Sequence, residues 1–370
     1  MQAIYIAPNQ LNKLIQAIKS IEKVTEIKSL LFLMADNEKY PANILCPILG
    51  KITIPLIGGI FPELIFSNER KKSGVLLIPL AFELKTQLFD LSQAPENYIK
   101  QLEEVQKDSI DHSSALFVFT DAFSKNKEPF IQSLFNFFGL NPTYLGGGAG
   151  SLSFKPFPCI INNQGIHQNS AVIGWTKKKV AVGVAHGWTP ISTPLKVTKC
   201  ANNLLEELNW QPAFEVYRKI VEEHSKTKFT DDNFFDIAKS YPFGISVIDT
   251  EPIVRDPVNL IDNAILFFDS VKEGEYVGIL HGNVDSLLEG ASKARELAFS
   301  KIDMDKNSET AFCIDCISRV LFMQNDFKKE LDTIGQDSQI VNGILSIGEI
   351  ANAEDSFLEI YNKAIVVGLW

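Results

Sequence analysis

Short apolar runs alternate with longer amphipathic stretches along this chain, and three of the short runs stop at an acid. Ser29–Met34 runs out at Asp36, Ala115–Phe119 at Asp121, and Ala311–Ile314 at Asp315. A continuous apolar run of this length reads as a strand buried on both faces. Each acid is followed by a helical stretch. These are residues 42–50, then Glu128–Phe138 with Pro129 suited to the first turn and Gly139 to the C-cap, then Ser318–Ile334 closed by Gly335. A second apolar run and a glycine come next: Ile52–Ile57 before Gly58, Thr143–Leu145 before Gly146–Gly150, and Gly343–Ile350. The acid-to-glycine gaps are 22, 25 and 28 residues, and hairpin-like strands follow each time. The pattern predicts one β-α-β-hairpin unit used three times, with Asp36, Asp121 and Asp315 in equivalent places.

Outside the repeat, Leu11, Leu14, Ile15, Ile18 and Ile21 predict an opening helix over Gln10–Val24. Between copies two and three, Leu204–Leu208 and Pro212–Ser225 read as helices, and Phe243–Val247, Ile265–Phe268 and Val277–Leu280 as strands. Asp285 is placed to cap a helix running through Phe299. Ser151–Phe154 alternates and reads as a strand, so Gly146–Gly150 does not open a helix in the way a phosphate cradle requires. The expected fold is α/β, more closely α+β: two related lobes with mixed, largely antiparallel sheets flanked by helices. The expected organisation is a helical extension over 1–28, an N-terminal region over 29–198 and a C-terminal region over 199–370, with the Pro- and Thr-rich stretch Trp188–Lys199 at the seam.

Composition narrows the functional classes. A chain of 370 residues with 45% hydrophobic and 22% charged residues is globular, and long enough for two lobes. A net charge of −10 argues against a nucleic-acid surface, and the basic runs Arg70–Lys72 and Lys177–Lys179 sit where hairpin tips are expected. The most apolar long segment, residues 44–66, carries Lys51, Glu63 and three prolines, so it does not read as a membrane span. Five cysteines follow no disulfide framework and no signal peptide opens the chain, which points to a reducing cytoplasm.

Several short motifs add to the repeat. They are Phe119-Thr120-Asp121, the glycines of 146–150, Gly187-Trp188-Thr189-Pro190, Tyr241-Pro242-Phe243-Gly244, Val254-Arg255-Asp256-Pro257, Asp315-Cys316-Ile317-Ser318-Arg319 and Gly348-Glu349-Ile350. In this order and spacing the chain resembles FIST proteins that carry both the FIST N-terminal and the FIST C-terminal regions, from about Leu30 onward. The resemblance implies a sensory, signal-transducing module that binds small molecules, amino acids or related metabolites, with no established enzymatic activity. In bacterial signalling proteins such modules stand beside output domains. Here Trp370 follows directly on the last strand, so signalling is expected to pass through a separate partner protein.

The expected ligand site lies where the strand ends converge: Asp121, Gly147, Gly148, Asp315, Cys316, Arg319 and Glu349, with His186 and Arg255 beside them. Asp315 and Arg319 are four apart and share a helix face, either as a cap with a local ion pair or as a site for an amine and a carboxylate. Arg255 is either a turn-stabilising ion pair or an anion anchor. Cys313 and Cys316 have thioredoxin spacing, but Cys313 belongs to a strand and no second pair completes a zinc site. Cys316 either lines the pocket or packs. No cofactor, metal or catalytic residue is assigned. Two alternatives stay open: a thiol- or carboxylate-dependent enzyme using Cys316, Asp315 or Glu349, and a protein-interaction scaffold.

Overall fold

The computed structural model describes residues 2–38, 40–105, 110–247, 251–301, 310–336, 339–352 and 357–370. Its architecture follows from the repeated unit. In copy one, strands Ser29–Ala35 and Leu56–Phe61 lie parallel, joined through helix Ala42–Leu49. Copy two has Ala115–Asp121, helix Lys127–Phe138 and Thr143–Ala149. Copy three has Thr310–Cys316, helices Ile317–Met323 and Phe327–Ile334, and Ile340–Ser346. Every residue of Ser29–Ala35 and of Ala115–Asp121 is buried, which is why these runs are continuously apolar instead of alternating.

Each copy then sends out a hairpin and returns. The return strands Val75–Leu80, Ser170–Thr176 and Ile365–Leu369 pair antiparallel with the first strand of their own copy. The hairpins do not stay at home. Glu63–Phe66 of copy one joins Ile340–Ser346 of copy three, and Ile160–Asn162 of copy two joins Leu56–Phe61 of copy one. Glu349–Asn352 of copy three joins Thr143–Ala149 of copy two. The exchange closes on itself and yields three six-stranded sheets of one topology. A fourth, nine-stranded sheet built from residues 189–281 forms the second lobe, packed under helix Ala213–Ser225 through Tyr217, Phe243, Phe267 and Ile279. The chain is thus an α+β protein with mixed, largely antiparallel sheets flanked by helices.

The glycines that follow each second apolar run lie inside the second parallel strands. Gly58 faces Phe32, Gly146 faces Val118 and Gly343 faces Cys313, at one register position in all three sheets. A Cβ at these glycines would lie 1.8, 1.7 and 1.8 Å from the carbonyl oxygen of the facing residue. The acids are not equivalent. Asp36, Asp121 and Asp315 come four, three and two residues after the residue facing the glycine. Asp121 therefore matches Ala35 and Cys316, while Asp315 points to the opposite face of its sheet.

Four local expectations are corrected. Leu204–Leu208 is a strand paired with Leu195–Ala201 and Ala264–Phe267, because left-handed residues at Asn202, and at Asn209 and Trp210, turn the chain at both its ends. Ser151–Phe154 is a turn closed by Phe154 N–H donating to Ser151 O at 3.1 Å. The cap of helix Val284–Ser300 is Asn283, in a reciprocal capping box with Ser286, not Asp285. The helix expected over Ser318–Ile334 is interrupted by a 3-10 turn at Gln324–Asp326.

The shared glycine position yields a stability test. Gly343→Ala forces backbone apart at the centre of a buried sheet and should cost more than about 3 kcal/mol. A Cβ added at Gly50 would have its nearest neighbour 3.5 Å away, so Gly50→Ala should stay within about 1 kcal/mol of wild type. Urea midpoints of the two variants, compared with wild type, check the contrast.

Candidate functional site

A cleft of about 900 Å3 opens between the two lobes. One wall is the exit from strand Ala181–Ala185, through His186, Gly187 and Trp188, together with helix Val284–Ser300 packed directly against it, through Ser286, Glu289, Gly290 and Lys293. Glu251–Ile253 and the residues Phe357, Glu359, Tyr361 and Ala364 complete it. The helix lies close on the strand because the contact residues are small. A Cβ on Gly183 would come within 1.9 Å of Ala294 O, and one on Gly187 within 2.1 Å of Ser286 O.

The cleft's polar groups are unbalanced in charge. Among the described residues Glu251, Glu289 and Glu359 face one lysine, Lys293, which pairs with Glu251. His186 adds no charge, since burial pushes its pKa down to about 4. Its Nδ1 accepts from Trp188 N–H at 2.9 Å, and its Nε2 lies 3.1 Å from Pro252 O, so Nε2 carries the proton. Burial raises the Glu359 carboxyl above its ordinary value, against the pull of the Arg255 guanidinium.

The acid-rich cluster expected to hold the ligand lies behind this cleft, out of solvent. Arg319 is 0% exposed and has all its donors engaged. Nη1 donates to His186 O at 2.6 Å and Lys363 O at 3.2 Å, Nη2 to Leu287 O at 3.0 Å and to Glu330, and Nε to Glu330 Oε1 at 3.1 Å. Asp315 Oδ1 lies 3.4 Å from Nε. The guanidinium fork therefore ties the exit of strand Ala181–Ala185 to the helix packed against it, and has no N–H left for a ligand carboxylate.

Three buried carboxyls surround it. Burial raises the Asp315 pKa well above its ordinary range, Glu330 adds to this, and Arg319 opposes it. Burial raises Glu330 as well, opposed by Arg319. Glu349 is pushed up to about 8 by burial, although Ser346 Oγ donates to it at 2.8 Å and Ala364 N–H at 3.3 Å. The simplest charge state is Arg319 ionised against Glu330, the carboxylate it touches most closely, with Asp315 and Glu349 holding protons.

The remaining predicted residues divide between framework and a second, smaller depression. Asp121 is buried, accepts from Phe123 N–H at 3.0 Å and Asn169 N–H at 2.8 Å, and has its pKa raised by burial. Gly147 and Gly148 pack against copy three, where a Cβ would meet Ser346 Cβ at 2.8 Å and Ile347 O at 2.1 Å; they make no room for a ligand. Arg255 donates to Ser270 O at 3.0 Å and Ile360 O at 3.0 Å, joining the lobes. Cys316 lines the smaller depression, but burial drives its thiol well above the ordinary range. Among the described residues no three His, Cys, Asp or Glu side chains gather in a metal-binding arrangement.

Of the predicted residues, His186 alone lines the large cleft. Trp188, Glu251, Lys293 and Glu359 were missed. One signal was readable: Gly290, Ala291, Ala294 and Ala298 form a small-residue stripe on a helix, the mark of a close neighbour. The glutamates carried no signal, being indistinguishable in sequence from solvated surface charge.

A three-sheet body with an exchanged hairpin in every sheet is joined to a second lobe across this cleft, and together they make an α+β protein. The chain belongs to the FIST family: the FIST N domain matches residues 29–211 and the FIST C domain residues 213–352. FIST domains are sensory modules of signal transduction. No curated protein matches the chain. Among the described residues no helix is long and apolar enough to cross a membrane.

Two predictions rest on the buried cluster. Arg319→Ala strands the buried Glu330 carboxylate and should cost about 3–5 kcal/mol. Arg319→Lys should rescue little of it, since an ammonium cannot reproduce the fork. Chemical denaturation of both variants checks this.

The second concerns pH. Between about pH 4.5 and 8 the folded protein keeps the Glu349 proton that the unfolded chain releases. The stability linked to Glu349 is thus fully present below about pH 4.5 and lost as the pH rises toward 8, by at most about 1.4 kcal/mol per pH unit. Glu349→Gln should flatten that share of the slope in urea titrations across the window.

Proposed function

We propose that the chain is a small-ligand sensor whose ligand enters the cleft of about 900 Å3, and that the ligand is an amino acid or a related metabolite carrying an ammonium group. The observation that carries this reading is the cleft itself, since small-molecule sites fall in the range of about 300–1,000 Å3 with apolar walls and few polar groups. Trp188, Ile253 and Leu297 supply apolar surface. The excess of Glu251, Glu289 and Glu359 over Lys293 favours a ligand with a positive group. Glu359 meets the ammonium, and Lys293 meets a carboxylate where the ligand has one. The family's signalling role calls for a partner protein to carry the response, and the five free thiols fit a reducing cytoplasm.

The thiol-enzyme alternative gains no support from geometry. Cys316 is buried with its thiol pushed upward, away from the thiolate that such chemistry needs.

A melting screen across amino acids, amines and organic acids tests the proposal. A ligand at a hundred times its Kd adds about 2.7 kcal/mol to stability, a shift of a few degrees. Glu359→Gln with Lys293→Ala should abolish that shift, and dicarboxylic acids should give none. A shift that persists in this double variant places the ligand outside the cleft.

A further inference from the structure

The charged groups of the cleft sit on separate elements. Ser286, Glu289, Lys293 and Leu297 share one face of helix Val284–Ser300 and line the cleft along about 16 Å of the helix axis. Phe357, Glu359 and Tyr361 alternate into and along strand Leu358–Tyr361. Their side chains therefore leave one face of the chain, and all three line the cleft.

Lys293 is engaged within the protein. Its ammonium pairs with Glu251, whose other oxygen lies 3.5 Å from His186 Nε2. Glu289, one turn before Lys293, is exposed, and among the described residues it forms no ion pair and accepts no hydrogen bond. Glu359 is half-buried and has no such partner among them either. The Arg255 guanidinium pulls on its charge but donates to the carbonyls of Val254, Ser270 and Ile360. Two carboxylates thus reach the cleft from different elements, both open to a ligand, and neither touches a cation of the described chain.

We infer that the ligand of the cleft is an aliphatic diamine, with one ammonium at Glu359 and the other at Glu289. This narrows the reading of the cleft as a small-ligand site and rests on it. Glu359 stands between Phe357 and Tyr361 on its strand face, and aromatic rings beside a carboxylate favour an ammonium. Val184, Ile253 and Leu297 offer apolar surface to the methylenes. An α-amino acid brings a carboxylate as well, and to meet it Lys293 would have to give up Glu251.

Calorimetric titration of the full chain tests this with putrescine, cadaverine and hexamethylenediamine, each against the monoamine of the same chain length: butylamine, pentylamine and hexylamine. At least one diamine should bind saturably and about threefold or more tighter than its monoamine, the gain that one partly exposed ion pair gives. Lysine, which is cadaverine with a carboxylate added, should bind more weakly than cadaverine. In Glu289→Gln, a change at an exposed position, that diamine should fall to the affinity of its monoamine in the same variant. Monoamines that bind wild type as well as their diamines do, or a diamine gain that persists in Glu289→Gln, would overturn the second contact while leaving the cleft as a site for an ammonium. Lysine binding as tightly as cadaverine would overturn the choice of a diamine. No saturable binding of any amine to wild type would overturn this inference together with the reading of the cleft.

Discussion

The Arg319 guanidinium stands where five segments meet: the exit of strand Ala181–Ala185, the first turns of helix Val284–Ser300, helix Phe327–Ile334, strand Thr310–Cys316 and the turn at Lys363. Removing a cation fully from water is costly, and only a complete set of acceptors offsets it. Carbonyl oxygens from three of these segments and the Glu330 carboxylate provide that set. Because the acceptors belong to separate segments, the cation works as a geometric specification: only one mutual placement satisfies all of them. Three of those segments are cleft walls, so the shape of the cleft depends on a residue that does not line it.

The exchanged hairpins make the same argument at a larger scale. A strand of copy one completes the sheet of copy three, so that sheet lacks its outer strands until residues from both ends of the chain have come together. The shared glycines permit the parallel pairs, and further glycines let the copies touch, as where Gly147 meets Ser346 and Gly148 meets Ile347. Non-local pairing of this kind folds slowly, because loop closure precedes the contacts that reward it. The buried strands are apolar enough to drive collapse, but register among three similar sheets needs more specific marks. Buried polar pairs such as Asp121 with the Asn169 amide and Asn352 Oδ1 with the Tyr144 amide, at 2.8 and 2.9 Å, are of that kind.

How far this was legible in the sequence follows from which forces act locally. The repeat could be read because burial on both faces leaves an unbroken apolar run, and the helices because they are amphipathic. The sequence marks the glycines as places of close approach, but whether the close neighbour is a ligand or the facing strand shows only in the register. Asp315 and Arg319 do lie together, 3.4 Å apart, but Asp315 belongs to strand Thr310–Cys316 and shares no helix face with Arg319, and Glu330, which holds Arg319 more closely, sits behind Lys328-Lys329 and reads as solvent-exposed charge. The cleft was largely hidden. Its walls come from residues 184–190, 251–253, 286–297 and 357–364, and nothing local in any of these marks a shared cavity.

The turn from Tyr361 to Ala364 is where the cleft and the smaller depression come closest in the chain. Arg319 and the Trp188 indole both donate to Lys363 O, at 3.2 and 3.0 Å, and Cys316 N–H donates to Ala364 O at 3.2 Å. The Lys363 ammonium lies 5.3 Å from the centre of the Trp188 ring and 3.2 Å from Asp256 Oδ1. A body so fully bonded does not deform gradually; close-packed interiors shift between discrete arrangements. A ligand in the cleft acts on the far side only through its difference in affinity for two positions of this turn. Trp188, which donates to Lys363 O, and Tyr361 are the cleft residues at this turn, and the Lys363 ammonium ties the turn to Asp256.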